Sequence, residues 1–315
     1  MSETRSRTLT VASTAGLCNR LRVLLSGLAL AEATGRRFTM LWPRTAACSA
    51  AFDELFALPW PVRAATMQEV DALAHWDQRK RDTLDLLTAD GADIRLQTWS
   101  WLLAPSRFPA HRVLRVRCAQ LLASMQPITE IQARINAFRD TSFRPQMIGV
   151  HLRRADMRLL YPLSATNTTA AMAAVDAYLD RCPGAGVLLC TDDGAVDQHS
   201  GRVLAAEGVR ARFVQRYGAH VVYTAPRSLD RREPASIQDA LVDLWLLRAA
   251  DYLVGTAASS FSEMAALGRG IPVTMCRSEH PLRHVFPLRD WLQGQSSLKW
   301  LARYYWRLIH LRGVR

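Results

Sequence analysis

The chain of 315 residues contains no run of 18 or more apolar residues. A helix needs about 20 of them to cross a bilayer, so no spanning segment is expected. The longest apolar stretches, 23–33 and 237–254, carry polar residues at helical or strand spacing. The opening residues 1–7 have no apolar h-region behind them, and the expectation is a cytoplasmic protein without a secretory leader. The six cysteines (Cys18, Cys48, Cys118, Cys182, Cys190, Cys276) form no C-x-x-C pair. That excludes the usual zinc spacings and a disulfide framework, and leaves small buried apolar side chains. Lysine is nearly missing: Lys80 and Lys299 are the only two, so arginine carries the formal charge of +12. Most of these arginines are scattered, not striped with aromatics, which speaks against nucleic acid as a partner. Nearly half of the residues are apolar and 22% are charged, the balance of a globular protein long enough for two domains.

The pattern along the chain opens as strand, loop and helix. Residues 9–12 are a short β-rich run, and Gly16, Leu17, Cys18, Asn19 and Arg20 lie in a turn-rich connector. Leu21, Leu24, Leu25, Leu28 and Ala31 then recur at helical spacing until Gly35, and 38–42 follows as a strand. This βαβ opening predicts a parallel sheet. From 44 to 107 polar and apolar positions mix, and helices and loops are expected. After a helix over 128–138, the polar stretch 139–145 breaks at Pro145 and divides an N-terminal domain, 1–145, from a C-terminal one, 146–288. In the second domain strands are predicted at 147–152, 187–190, 209–214, 221–223, 252–254 and 271–274. Helices are predicted at 169–179, 195–207, 237–249 and 260–267. This alternation means a doubly wound α/β domain, whose sites form outside the carboxyl ends of the strands. Two such domains facing one another would hold a ligand between them.

Three strand ends carry residues suited to chemistry. His151, Arg153 and Arg154 close the first strand of the second domain, with Asp156 just beyond. Positions 151 and 153 point to one face and 154 to the other. A guanidinium here suits a diphosphate through bidentate bonds that lysine cannot reproduce, while an Arg–Asp ion pair at the strand end is the competing reading. The second end holds Asp192 and Asp193. They would serve as a cation site, a helix N-cap or partners of the arginines; no accompanying carboxylate or histidine constellation favours the metal. The third runs from Asp251 through Gly255 and Thr256 to Ser259, Ser260 and Ser262, and reads as a phosphate site at a helix start or as ordinary capping. The connector at Gly16 is neither a Walker A loop nor G-x-G-x-x-G.

Taken in order, these segments resemble the fucosyltransferase superfamily that groups α1,6- (including nodulation-type), α1,2- and protein O-fucosyltransferases. His151, Arg153, Arg154 and Asp156 match its H-x-R-R-x-D motif, Thr191, Asp192 and Asp193 its second motif, and the stretch from Asp243 to Ser260 its third. Gly16, Cys18, Asn19 and Arg20 are similar to its N-terminal glycine loop. The resemblance implies a GT-B-like fold, two facing Rossmann-type domains with parallel sheets and a C-terminal helix. It also implies an inverting transfer of fucose from GDP-fucose to a hydroxyl of a glycan or glycoconjugate. On it, Arg153 binds the β-phosphate with Arg154 in support, His151 and Asp243 contact the guanosine end, and Ser259 and Ser260 bind phosphate. Gly16, Cys18 and Asn19 join the donor site, and Asp192 and Asp193 shape it without a metal, since the family needs no obligatory cation or other cofactor. Some members place a Lys and a Glu after the first motif; this chain has 157–161 as Met-Arg-Leu-Leu-Tyr, which leaves Asp156 as the candidate base and keeps a non-catalytic GDP-sugar-binding protein as the alternative. The end of the chain, 289–315, carries six basic residues against Asp290, interleaved with Trp291, Trp300, Tyr304, Tyr305 and Trp306. It is expected to pack back on the body as a helix, with peripheral contact to an anionic membrane as the competing reading.

Overall fold

In the computed structural model of the chain, the described residues are 7–57, 59–76, 93–103, 109–153, 168–192 and 208–277. The helix expected at 195–207 and the segment 289–315 lie outside them, as do Arg154, Asp156 and Asp193.

Two five-stranded sheets, parallel throughout, organise the described residues. The first is built from β1 (Thr8–Ala12), β2 (Arg37–Trp42), β3 (Val62–Ala64), β4 (Ala74–His75) and β5 (Ile94–Gln97), in the order β3-β2-β1-β5-β4. The second contains β6 (Met147–Leu152), β7 (Gly186–Thr191), β8 (Val221–Val222), β9 (Tyr252–Thr256) and β10 (Val273–Cys276), in the order β10-β9-β6-β7-β8. In each sheet the first strand is central and the order reverses beside it. That reversal creates a crevice at the carboxyl ends, between β1 and β5 in one sheet and between β6 and β9 in the other. The fold is α/β with two Rossmann-type sheets, as the alternation of elements predicts.

The helices are α1 (Leu17–Thr34), α2 (Met67–Asp71), α3 (Pro109–Ser124), α4 (Thr129–Ser142), α5 (Thr168–Leu179), α6 (Val209–Tyr217), α7 (Pro234–Arg248) and α8 (Ser260–Ala266). α1 buries Leu21, Leu24, Leu25 and Ala31 of the face anticipated from their spacing, with Leu28 partly buried beside them; Leu30, outside that spacing, is buried as well. It ends where Gly35 adopts a left-handed conformation (φ 60°) and the Arg36 amide returns to Ala31 O at 2.9 Å, closing the helix as a Schellman-type turn.

Two expectations are corrected. Between 44 and 107 the chain forms strands β3, β4 and β5, of three, two and four residues. Such short strands give no period-two signal, and their pairing comes from the sheet they join. The run 209–214 is the start of helix α6 and not a strand. Its alternating Val-Arg-Ala-Arg-Phe-Val reads as β over six residues, but the buried positions are Val209, Phe213 and Tyr217, four apart on one helical face.

The two units share one hydrophobic core. It runs from Leu9, Leu21 and Leu24 through Leu121 and Ile135 to Leu241, Leu247 and Met264. α1 packs on α3 and α8, and α4, although it precedes residue 145, packs on α7. No described helix is long and apolar enough to cross a membrane.

Candidate functional site

A cleft opens between the units where both sheets present their carboxyl ends. The first unit contributes Gly16, Cys18, Asn19 and Ala47. The second contributes residues of β6, β7 and α7, the stretch 224–231, and the start of α8.

The β6–β9 crevice is fixed by side chains that take over where the strands diverge. β6 and β9 pair in register only from Ile148↔Tyr252 to Val150↔Val254. Beyond that, the buried Thr256 hydroxyl donates to His151 O at 3.0 Å and accepts from the Arg153 amide at 2.9 Å. Its side chain thus extends the ladder by one step and sets the backbone of Arg153, whose side chain lines the cleft. His151 is buried beside it, its ring stacked on Phe261 with centroids 4.7 Å apart and Nδ1 2.7 Å from Ser262 Oγ. The same hydroxyl accepts from the Thr256 amide at 2.9 Å, so Ser262 ties the His151 ring to the end of β9.

Two backbone features let α8 come this close. A Cβ on Gly255 would meet Ser262 Cβ at 2.8 Å and Met275 Sδ at 2.9 Å, so only glycine allows Ser262 to seat on β9. In the following turn Ala258 has φ 63°, the one non-glycine residue with positive φ among the described residues. Holding an alanine there costs about 1–2 kcal/mol. The strain sits where the chain turns from strand to cleft-lining helix.

On the opposite wall, α1 begins at Gly16, which accepts from the Asn19 and Arg20 amides at 3.0 and 3.1 Å. A Cβ on Gly16 would meet only Ala47 O, at 3.6 Å, and its φ of −66° suits any residue. The protein's own packing therefore does not require glycine here; close approach of a ligand would. Arg20, fully buried, braces this loop by donating to Ala15 O at 2.7 Å, Pro43 O at 2.5 Å and Thr45 Oγ1 at 2.8 Å. Burial pushes the Cys18 thiol up to about 12, against the pull of Arg22 and Arg153, so it faces the cleft as a neutral group and not as a nucleophile.

At the far end, Asp243 on α7 accepts from the Thr224 hydroxyl at 2.6 Å and from the buried Cys190 thiol. Burial pushes its carboxyl up to about 6, while the Thr224 bond and the charges of Arg210 and Arg134 hold it from rising further. Asp239, one turn earlier, is buried more deeply, but it accepts from Arg134 at 2.6 Å and from the Arg227 amide and Nε at 2.6 and 2.9 Å. Those bonds outweigh burial and keep it below the usual carboxylate range. Of the three aspartates lining the cleft (Asp192, Asp239 and Asp243), one is therefore neutralised by two arginines and one is held partly protonated near pH 6. Arg153, Arg210 and Arg231 line the same space. The balance favours an anion.

Of the residues singled out from sequence, Gly16, Cys18, Asn19, His151, Arg153, Asp192, Asp243 and Ser260 line the cleft together. Ser259 does not: it is the N-cap of α8 and is buried, its hydroxyl without a partner among the described residues. Sequence reasoning named Thr256 and Ser262 in a phosphate or capping stretch but not their hold on Arg153 and His151, and it missed Asp239, Arg210 and Arg231, whose places depend on packing. It also missed Glu263. This α8 carboxylate accepts from Arg22 on α1, from Trp101 Nε1 at 3.0 Å and from Arg115 Nη1 and Nη2 on α3, both at 3.1 Å. Burial opposes its charge, but Arg22 and Arg115 hold its pKa below the usual range. Among the described residues no three His, Cys, Asp or Glu side chains converge as cation ligands.

No protein-family model matches the chain, and no curated protein matches it by sequence. Solved structures do match by fold. NodZ α-1,6-fucosyltransferase soaked with GDP-fucose superposes with a TM-score of 0.51 at 19% identity, over 83% of this chain and 92% of that one. The fucosyltransferase NodZ from Bradyrhizobium gives 0.51 at 20%, over the same shares. A variant of Arabidopsis thaliana FUT1 in complex with GDP gives 0.58 at 14%, over 89% of this chain and 72% of that one. The chain has the fold of these enzymes.

Proposed function

We propose that this chain is a member of the fucosyltransferase superfamily and an inverting glycosyltransferase that moves fucose from GDP-fucose to a hydroxyl of a glycan or glycoconjugate. The observation that carries this reading is the cleft at the β6–β9 crevice, where Arg153 is fixed by Thr256 and faces the glycine loop of the opposite unit. The likeness of the fold to NodZ soaked with GDP-fucose and to FUT1 with GDP supports it.

In this reading the diphosphate lies between Arg153 and the start of α1. The nucleoside extends along β7 and α7 towards Thr224 and Asp243. When the bond between the anomeric carbon and the β-phosphate oxygen breaks, negative charge moves onto the departing GDP. The Arg153 guanidinium, preorganised on a fixed backbone, stabilises that charge more in the transition state than in the ground state, which is what lowers a barrier. The acceptor hydroxyl attacks the opposite face of the oxocarbenium-like sugar and inverts the anomeric centre. Asp156, the candidate base, lies outside the described residues. The reading includes independence from a metal ion, because arginine supplies the positive charge at the leaving group.

The test is GDP release from GDP-fucose in the presence of a panel of glycan acceptors, with and without EDTA. Wild type is expected to turn over equally in both. Arg153→Lys keeps one charge but loses the bidentate fork, and should lower kcat by at least about a hundredfold. Undiminished transfer by that variant would remove Arg153 from the mechanism. Tight GDP binding without transfer to any acceptor would favour a non-catalytic GDP-sugar-binding protein.

A further inference from the structure

The glycine loop and the donor-side helix are joined by a chain of hydrogen bonds that crosses between the two units. Arg22, one turn into α1, points one end of its guanidinium forward and the other across. Nη1 donates to Asn19 Oδ1 at 3.1 Å, and Nη2 donates to the Glu263 carboxylate of α8. Glu263 is itself held by Trp101 and Arg115, so two helices and a connecting segment of the first unit converge on one carboxylate of the second. The guanidinium is held by its two terminal nitrogens alone: its Nε is buried with no partner among the described residues. An arginine kept only to bridge two helices would not need Asn19, and would bear this buried Nε for no return.

The chemistry of that contact decides which way the Asn19 amide faces. Arginine has donors only, so the oxygen of the amide must turn towards Arg22. The NH2 group then lies on the other side, and Asn19 lines the cleft. Cys18, its chain neighbour, and Arg153 line the same cleft, so the amide shares this space with the guanidinium of the opposite unit.

We propose that Arg22 is a positioning residue: braced by Glu263 of the opposite unit, it fixes the Asn19 amide with its NH2 group towards the cleft, where it donates to an anionic phosphate oxygen. This deepens the reading of the cleft as a GDP-sugar site and rests on it for the identity of the ligand. Arg22 touches no ligand in this scheme; it acts through Asn19, and Glu263 acts through Arg22. The fork matters because it sets two nitrogens at fixed, separate positions, Nη1 at Asn19 and Nη2 at Glu263; a lysine ammonium, although it carries three donors, offers a single point and cannot occupy both positions.

Arg22→Lys separates this role from a merely structural one, since lysine keeps the charge and the ion pair with Glu263 while giving up Asn19. Its melting temperature should stay within about 2 °C of wild type, as a partly exposed ion pair is retained. Two measurements follow. In 15N-resolved NMR of the nucleotide-free protein, the Asn19 side-chain NH2 pair, assigned by its loss in Asn19→Ala, should move in Arg22→Lys; an unmoved pair overturns the positioning role. In calorimetric titration with GDP, Arg22→Lys and Asn19→Ala should each weaken binding about tenfold, the loss of one charge-assisted hydrogen bond. The double variant should be no weaker than Asn19→Ala alone; a further tenfold loss means that Arg22 acts independently and refutes the scheme. If wild type binds no GDP, the reading of the cleft fails, and the NMR measurement still decides the positioning. Should Arg22→Lys fold poorly, Glu263→Gln replaces it, with the same shift of the Asn19 pair expected and the same absence of shift counting against the proposal.

Discussion

Replacing Thr256 by valine tests the local architecture of the candidate site at a single atom. Valine has the shape of threonine, so the substitution opens no cavity in a position that is fully buried. What disappears is the hydroxyl that donates to His151 O and accepts from the Arg153 amide. Two buried hydrogen bonds at about 1–1.5 kcal/mol each amount to a loss of about 2–3 kcal/mol. For a chain of 315 residues the unfolding entropy is about 0.66 kcal/mol/K, so the melting temperature should fall by about 3–5 °C. Thr256→Ser keeps both bonds and loses one methyl, a change of about 1 kcal/mol. Urea denaturation and calorimetric GDP titration of the three proteins would check both halves of the argument. Valine should weaken GDP binding, because the backbone of Arg153 is no longer tied to β9, and serine should not. A valine variant as stable as wild type, or one in which serine and valine bind GDP alike, would refute the view that this hydroxyl sets the site.

Two further outcomes follow from charged groups. Glu263→Gln should lower stability at neutral pH by about 2 kcal/mol, since Arg22 and Arg115 lose a carboxylate partner. Because the folded pKa of Glu263 is depressed, its contribution is present above the ordinary value of 4.5 and is lost as pH falls through the folded pKa. The gap between wild-type and Glu263→Gln melting temperatures should therefore narrow below about pH 4.5. Asp243 behaves oppositely: with its carboxyl pushed up to about 6, it becomes a full acceptor for nucleobase N–H groups only above that pH. GDP affinity should rise as pH increases through about 6 and level off, and Asp243→Asn should remove that dependence in calorimetric titrations from pH 5 to 8.

The local order of the chain was legible because it rests on short-range physics. Hydrophobic spacing in Leu21–Leu25, the turn at Gly35 and the buried run of β6 each express themselves within ten residues. So does the alternation of strands and helices that makes a parallel sheet, and with it the rule that ligands gather at the strand ends where His151, Arg153 and Asp192 stand. The edge strands β3 and β4 escaped because two or three residues carry no period, and α6 was misread because Val209 to Val214 alternate by chance. Those elements take their form from the sheet beside them.

Only the tertiary structure decided how the strand ends are held and what charge faces the ligand. Thr256 reaches His151 and Arg153 over about a hundred residues of sequence, and Glu263 meets Arg22 across 241. No local pattern encodes such contacts, because a side chain's partner depends on which surfaces the shared core brings together. The same packing set Asp239 and Asp243 apart: four positions distant on one helix, one is clasped by two arginines and the other, half-buried, sits against Thr224 and Cys190. Sequence marked Asp243 through its motif and passed over Asp239, although both stand on the same helix. Their different charge states follow from desolvation and neighbours, which exist only once the chain has folded.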